Sequence, residues 1–553
     1  MKKQLLVFSL LLLLTVPATY TLFTLGGFTS HDLVHHVVRQ ISMDRLLSEG
    51  QFPPRWSGDL NNGYGYPVFL FNYPLPAMVG EVFHKFGLGF VDSVKAVLFL
   101  SMTISAVGMY LFLNSLLNSR LAAFLGAMFY VYAPLRFLNV YVSAAVGSAL
   151  ALGLVPYVFW SLVEVYRGKK WAVLFGSLGF AGLILAHNVT ALIFTPVILA
   201  FAVILIWRSK ERVWLFRQLV VMFLLGLGLS AWFWMPAVLE KGYTRYDLIF
   251  GNFYQDQFVS LGQLLRSPWG YGLSHPQNPE AGDMSYQLGL VQILAMVLLV
   301  PVVWIFRKKA QIKTWGIFAL VAFITSVFLM LKVSQPLWKS LPFLSLVQFP
   351  LRFQAVSVFA ASLAAALLTK HLPFRKIVFV ILLSLVIYAN RNHWHINEEF
   401  SPGEDYFLNL KTTSTSYGEH LPKWGAVANS KSPGKFQYVS GQGWVNIRVD
   451  KSNYVLAQVG ANASSKLVLN QYYFPGWDIE VDGQKVKFDY LTDTKSYGLP
   501  VFDLQAGSHI IKAKFKNTLI RNIADFISLI VLAGCVTMIL WMLFPFKKFL
   551  VKK

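Results

Sequence analysis

Apolar runs long enough to cross about 30 Å of hydrocarbon recur from one end of this chain to the other. A single anchor on a soluble domain does not produce that pattern, so the membrane must be the scaffold itself. With 56% hydrophobic residues and only 13% charged ones, the 553-residue chain has more apolar surface than a soluble core could hide. The runs predict spans near 5–28, 92–114, 121–140, 143–166, 171–187, 189–207, 216–239, 286–306, 314–332, 351–370, 375–390 and 521–545. The expected fold class is an α-helical polytopic membrane protein of about twelve transmembrane helices.

A net charge of +22 would ordinarily raise nucleic-acid binding, so the positions of the basic residues matter. They lie between the apolar runs: Lys2-Lys3, Arg120, Arg167 to Lys170, Arg208 to Arg217, Arg307 to Lys313, Lys370 to Lys376, and Lys547 to Lys553. Glu211 is the only acid among these stretches, and together they hold nearly all of the net charge. With a retained first helix that starts inside, every one of them falls in the cytoplasm, as the positive-inside rule requires. Basicity therefore reports topology, with both termini cytoplasmic, and no nucleic acid is expected as a partner. The single cysteine, Cys535, leaves the exported parts without a disulfide, which suits a bacterial envelope protein.

The same alternation exports residues 29–91, 240–285, 333–350 and 391–520. Residues 1–390 are expected to form the membrane domain, 391–520 an extracytoplasmic β-rich domain, and 521–553 a last span with a basic cytoplasmic tail. In the first outer loop, Thr29-Ser30-His31-Asp32 is a plausible helix start whose pattern runs to Gly50, and a second short helix is expected over Ala77–Phe86. Both read as amphipathic elements on the membrane surface, with Trp56, Tyr64, Tyr66, Phe69, Phe71 and Tyr73 as interfacial anchors. Beyond residue 391, alternating segments such as Val445–Val449 and His509–Phe515 predict a β-sandwich, and Asp482-Gly483 a hairpin.

On a helix starting at Asp32, positions 32, 35, 36 and 39 share a face, so Asp32, His35, His36 and Arg39 converge near the mouth of the first span. A carboxylate there could take a proton from an acceptor hydroxyl or bind a divalent cation, while His and Arg could hold a phosphate. The competing reading is an interfacial helix displaying polar residues to water and headgroups. Arg55, within Phe52-Pro53-Pro54-Arg55-Trp56, belongs to a rigid aromatic loop that suits either a shaped surface or plain packing. His187 ends one span at the outer face, where it serves function or caps a helix. Glu240 opens an outer loop, and Arg352 closes another, where it either neutralises a lipid-linked phosphate or snorkels to the interface. No phosphate loop, dinucleotide fingerprint, paired-cysteine zinc pattern or nucleophile elbow is present.

Taken in order, His31-Asp32 with His36 and Arg39, Pro53 to Trp56, Gly63 to Pro67, His187-Asn188, Pro236 to Glu240, Phe349 to Arg352, Tyr473 to Trp477 and Ala506 to His509 carry a resemblance. The chain resembles the bacterial YfhO-like membrane proteins and their relatives labelled "6-pyruvoyl-tetrahydropterin synthase-related", a label that does not name an activity. That group looks like the GT-C class of glycosyltransferases. The resemblance implies a polyprenyl-phosphate-linked sugar donor, transfer outside the cytoplasm and a catalytic acid in the first outer loop. Carried over by position, the acid is Asp32, as general base or metal-bound carboxylate. His36 and Arg39 would orient it, with Arg352 and His187 as candidate phosphate contacts. Relatives often carry an Arg and a Glu in the segment corresponding to Tyr141–Ala149, where this chain has Ser143 and Ser148.

The leading expectation is thus an inverting glycosyltransferase of the bacterial cytoplasmic membrane. It would act on an envelope polymer, glycolipid or protein, with His35, Arg55 and Glu240 as further substrate contacts. A divalent metal at Asp32 is left open. The alternatives are a transporter or flippase for a lipid-linked saccharide, and a non-catalytic scaffold whose outer domain binds glycans.

Overall fold

The computed structural model describes residues 2–24, 26–492 and 496–543, so the basic tail from Lys547 to Lys553 lies outside the described residues. Seven described helices are long and apolar enough to span a membrane: Phe90–Leu117, Val146–Tyr166, Asn188–Arg208, Arg212–Leu229, Ala310–Met330, Pro350–His371 and Leu519–Met542. An eighth span is available if Arg120–Val131 and Pro134–Val142, bent by 50°, count as one. The other expected spans are helical but short. Trp171–Ala186 and Leu290–Ile305 have 16 residues each, Arg375–Ala389 has 15 and Lys2–Thr15 has 14. About 20 residues are needed to cross unaided, so length alone supports seven or eight spans rather than twelve. The run at 216–239 also breaks at Ser230 into Arg212–Leu229 and Ala231–Leu239.

Helix Pro350–His371 is the centre of the bundle, with 94% of its spanning window buried. Its alanine-rich stretch from Ala360 to Ala366 lets neighbours approach closely, and a Cβ at Gly126 would fall 2.8 Å from the Ser362 carbonyl. Small residues at such contacts are what hold helices together where lipid tails are as apolar as leucine. Phe359 then packs on Phe159 at 4.4 Å and on Phe112 at 5.6 Å, and Phe201 joins Phe159 at 5.1 Å.

The C-terminal β-rich part is an antiparallel β-sandwich, as its alternation predicts. Two short strands, β1 (Gly27–Phe28) and β2 (Glu399–Phe400), pair to join its leading segment to the first outer loop. The sandwich proper uses β3 (Phe436–Ser440), β4 (Gly443–Lys451), β5 (Tyr454–Ala461), β6 (Ser465–Leu469), β7 (Trp477–Val481), β8 (Gln484–Lys485), β9 (Val501–Leu504) and β10 (Gly507–Phe515). One sheet runs β4-β5-β10-β7-β8 and the other β3-β6-β9. The β7–β8 hairpin turns at Asp482-Gly483, whose φ angles of 53° and 82° match the turn that glycine permits there.

The segment 29–91, expected as the first outer loop, does form helices over Leu33–Ser48 and Leu75–Lys85. They do not lie free on the membrane surface. Trp56, 0% exposed, packs on Phe515 and Trp477 of the sandwich at 5.1 and 5.7 Å and donates its indole N–H to Gln471 Oε1 at 2.8 Å. Tyr66, Phe69 and Phe71 are likewise buried, because the sandwich and residues 401–435 cover the loop. Rings expected as lipid anchors are therefore core residues of an interface within the chain.

That interface contains a buried ion-pair node. Arg521 at the head of the last span, 0% exposed, donates one hydrogen bond of 2.8 Å from Nε to Glu240 Oε2, its Nη2 lies 2.8 Å from the same oxygen as an ion pair, and Thr518 donates to Glu240 Oε1 at 2.5 Å. Arg55 pairs with Asp525 one turn further along, and Asn517 donates to the same carboxylate at 2.9 Å. Removing one partner of such a pair leaves a buried bare charge, at a cost of about 3–5 kcal/mol. Glu240→Ala is expected to lower the thermal unfolding midpoint of the detergent-solubilised protein strongly. The double variant Glu240→Ala with Arg521→Met should recover part of that loss.

Candidate active site

The helix Leu33–Ser48 begins at Asp32, whose backbone N–H is held by the Ser143 carbonyl at 3.0 Å while His31 N–H is held by Val142 at 3.1 Å. His31 Nε2 also reaches the Gly272 carbonyl at 2.8 Å, so loop 240–285 is tied beside the helix start. The Asp32 side chain makes no capping hydrogen bond to its own helix. It is near enough to act electrostatically on His35, Tyr73 and Arg352.

Tyr73 is the hub of this cluster. Its ring lies 4.9 Å from that of His187 and 6.5 Å from that of His36, and the Arg39 guanidinium is 5.9 Å from its centroid. A Cβ at Gly147 would come within 2.2 Å of the Tyr73 ring, so only glycine leaves room for it. His36, Arg39 and Tyr73 also line a cavity of about 10 Å³, room for about one water.

The two arginines of the cluster have no acid within ion-pair distance among the described residues. Arg39 donates to the Ser414 carbonyl through Nε at 3.0 Å and Nη2 at 2.6 Å, and more weakly to Asn72 Oδ1 at 3.4 Å. Arg352 donates through Nη1 to the Val347 carbonyl at 2.9 Å and Gln348 Oε1 at 2.7 Å, and its guanidinium lies 5.0 Å from the Phe349 ring. His187 Nδ1 is occupied in its own turn, 3.1 Å from the Thr190 N–H and 2.8 Å from its hydroxyl.

Asp32, His35, His36, Arg39, His187 and Arg352, separated by up to 320 positions in sequence, thus fall in one cluster. Arg55 and Glu240 are drawn elsewhere, into the ion-pair node beneath the sandwich, because each finds an opposite charge there. Burial and its partly compensated charge hold Arg55 down to about 10. At the two departures from the relatives, Ser143 supplies its carbonyl to Asp32 and Ser148 accepts a hydrogen bond from Asn139 at 3.2 Å. Among the described residues one trio, His275, Glu280 and Asp283, brings three metal-ligating atoms within 4.8 Å of one another. Asp32 is not part of it.

Several members of the cluster were not singled out from sequence. Tyr73 read as an interfacial ring, and His420 and Glu419 lie in a polar stretch with no pattern. His420, 6% exposed, stacks on Phe71 at 5.5 Å and on Tyr246 at 6.1 Å. Only its adjacency to Glu419 could have drawn attention to it.

A family model described as "6-pyruvoyl-tetrahydropterin synthase related domain; membrane protein" matches residues 71–396, more than half the chain. This protein belongs to that family. The match takes in Tyr73, His187 and Arg352 but leaves Asp32 and the sandwich outside it. An uncharacterised protein of Lactococcus lactis is 26% identical over 235 residues, which cover 41% of this chain and 38% of that relative. Among solved structures, the arabinofuranosyltransferase AftD from Mycobacteria is 16% identical, with 71% of this chain and 26% of that one covered at a TM-score of 0.44. ArnT from Cupriavidus metallidurans is 14% identical, with 68% and 61% covered at a TM-score of 0.41. The Archaeoglobus fulgidus oligosaccharyltransferase is 11% identical, with 76% and 61% covered at a TM-score of 0.40.

Burial dominates the histidines. His36 is held well below its ordinary value by burial and then by Arg39, and His420 is lowered to about 4 by burial. The unfolded chain therefore binds protons below about pH 6.5 that these folded imidazoles refuse. Stability from this source is complete above about pH 6.5 and is lost as pH falls toward 4. Thermal unfolding midpoints measured from pH 7.5 to 4.5 should fall, and less steeply in His420→Phe.

Proposed function

We propose that this protein is a membrane glycosyltransferase that moves a sugar from a polyprenyl-phosphate-linked donor to an envelope acceptor, a polymer, glycolipid or protein, on the outer side of the bacterial cytoplasmic membrane. One observation carries the reading: a carboxylate, Asp32, faces two arginines, Arg39 and Arg352, that have no acid of their own. A buried arginine, Arg39, and two half-buried charges, Asp32 and Arg352, with no ion-pair partner among the described residues are costly to hold together and suit a site prepared for an anionic leaving group and a proton transfer.

In this reading the arginines hold the donor phosphate, with the ring of Tyr73 setting their spacing. The acceptor hydroxyl gives its proton to the Asp32 carboxylate as its oxygen attacks the anomeric carbon, and the bond from that carbon to the phosphate oxygen breaks. The negative charge passes to the phosphate, where Arg39 and Arg352 stabilise it. Attack opposite to the departing phosphate inverts the anomeric centre. His36, kept neutral, packs the Tyr73 side of the site without competing for the phosphate. The basic loops support a topology with both termini in the cytoplasm and the sandwich outside, and the shorter apolar helices would complete the twelve passes.

Sugar transfer in membranes carrying Asp32→Asn is expected to fall by about 10²–10⁴-fold with donor binding retained. Arg352→Met is expected to weaken donor binding instead. Unchanged turnover in Asp32→Asn, measured with a demonstrated substrate, would remove Asp32 from the reaction. Gly147→Ala, which forces Tyr73 from its place, should reduce transfer while leaving expression and membrane insertion intact.

A further inference from the structure

The segment that leads into the sandwich is clamped at three points, one on the helix Leu33–Ser48 and two on Tyr66 in the loop that follows it. Arg39 grips the Ser414 carbonyl, Tyr66 Oη lies 2.8 Å from Thr415 Oγ1, and Tyr66 Oη also accepts the His420 N–H at 3.0 Å. Ser414 takes a left-handed backbone with φ of 54°, which turns the chain over the helix. Further on, Leu421 accepts the Arg245 N–H at 3.0 Å. These contacts deliver Glu419 to the Asp32 cluster, near enough to act on His35, Tyr66 and Tyr246.

Glu419 is only 13% exposed, and its Oε2 is buried with no hydrogen-bond partner. The nearest basic group among the described residues is His420 Nε2 at 3.8 Å from Oε1, on an imidazole that burial keeps neutral at physiological pH. His35, one turn from Asp32 and one turn from Arg39, likewise has Nδ1 buried without a partner, and His420 Nδ1 is a third such atom. A buried polar atom left without a partner costs about 1–3 kcal/mol, and here three such atoms lie on two neighbouring segments. Together they outline an acceptor oxygen and two ring nitrogens awaiting partners.

We propose that Glu419 is a substrate-binding residue of the Asp32 site, and that with His35 it takes the hydroxyl groups of a sugar rather than a phosphate. The inference rests on the glycosyltransferase reading and names the subsite within it. A carboxylate only accepts hydrogen bonds, and sugar hydroxyls donate them, whereas a phosphate beside Glu419 would be repelled. The arginines provide for phosphate on the Tyr73 side. A neutral imidazole offers one donor and one acceptor, which matches a second hydroxyl. His35 is faced by Asp32 and Arg39 from its own helix, His36 beside it, and Glu419 from the clamped segment.

Two measurements on the full-length protein in lipid nanodiscs test this. Without ligand, the titration of His35 is followed by hydrogen exchange at its C2 position, read by mass spectrometry. Glu419→Gln removes an anion that favours imidazolium and should lower the His35 midpoint, while Glu419→Asp should retain it. An unchanged midpoint in Glu419→Gln would overturn the placement of Glu419 against His35. Binding of undecaprenyl phosphate and of undecaprenyl phosphoglucose and phosphomannose is then compared by native mass spectrometry. Glu419→Gln should lose at least about tenfold in affinity for a sugar-bearing lipid that the wild type binds, and stay within about twofold for the sugar-free one. Equal loss on both lipids, or loss on neither, would overturn the sugar assignment. If the wild type binds none of the three, the glycosyltransferase reading falls and the sugar assignment with it, while the His35 titration still decides whether Glu419 belongs to the site.

Discussion

The Glu240–Arg521 ion pair, with Arg55–Asp525 beside it, is the joint on which the outer half of this protein depends. It connects the end of helix Ala231–Leu239, the head of the last span and the first outer loop, three segments far apart in sequence. Charges buried this deeply are stable only in pairs, and here Thr518 and Asn517 each add a hydrogen bond to one of the two carboxylates. Because the last span follows directly from β10, fixing its head also fixes where the sandwich rests on the membrane domain. The sandwich in turn presses Phe474, Trp477 and Phe515 onto Trp56.

The consequence reaches the candidate site. With the sandwich seated, its leading segment runs back over the helix Leu33–Ser48 and the loop after it, where Arg39 of the helix and Tyr66 of the loop capture it. Arg39 therefore has two duties. Its backbone contacts to Ser414 keep the segment in place, while its charge, opposed by no acid, faces the Asp32 cluster. The same contrast separates the two groups of charged residues in the outer half. In the node each charge meets its opposite and the result is mechanical. Around Tyr73 the arginines have no acid within ion-pair distance among the described residues, which is the observation behind the proposed function.

Much of this was legible in the residues themselves. The helical pattern from Asp32 places His35, His36 and Arg39 on one face, and the observed helix starts where its polar N-cap predicts. The alternation of Val445–Val449 and His509–Phe515 and the Asp482-Gly483 turn appear as strands and a hairpin. Span count was harder, since composition marks an apolar segment without saying how much of it stays helical, and Ser230 divides one run in two. The aromatic residues from Trp56 to Tyr73 were ambiguous for a related reason. A ring suited to the membrane interface is equally suited to a protein interface, and nothing local distinguishes them.

The chain by itself determined its membrane character, the β-sandwich and the local face that carries Asp32. Those properties depend on hydrophobic periodicity and charge counted over neighbouring residues, which a linear reading contains. Tertiary structure alone decided that Arg55 and Glu240 serve a joint, that Tyr73 gathers His36, His187 and Arg39, and that Glu419 arrives beside His35. Each of those outcomes brings together residues from about 35 to several hundred positions apart, and it is settled by which buried charges and rings find partners once the sandwich closes over loop 29–91.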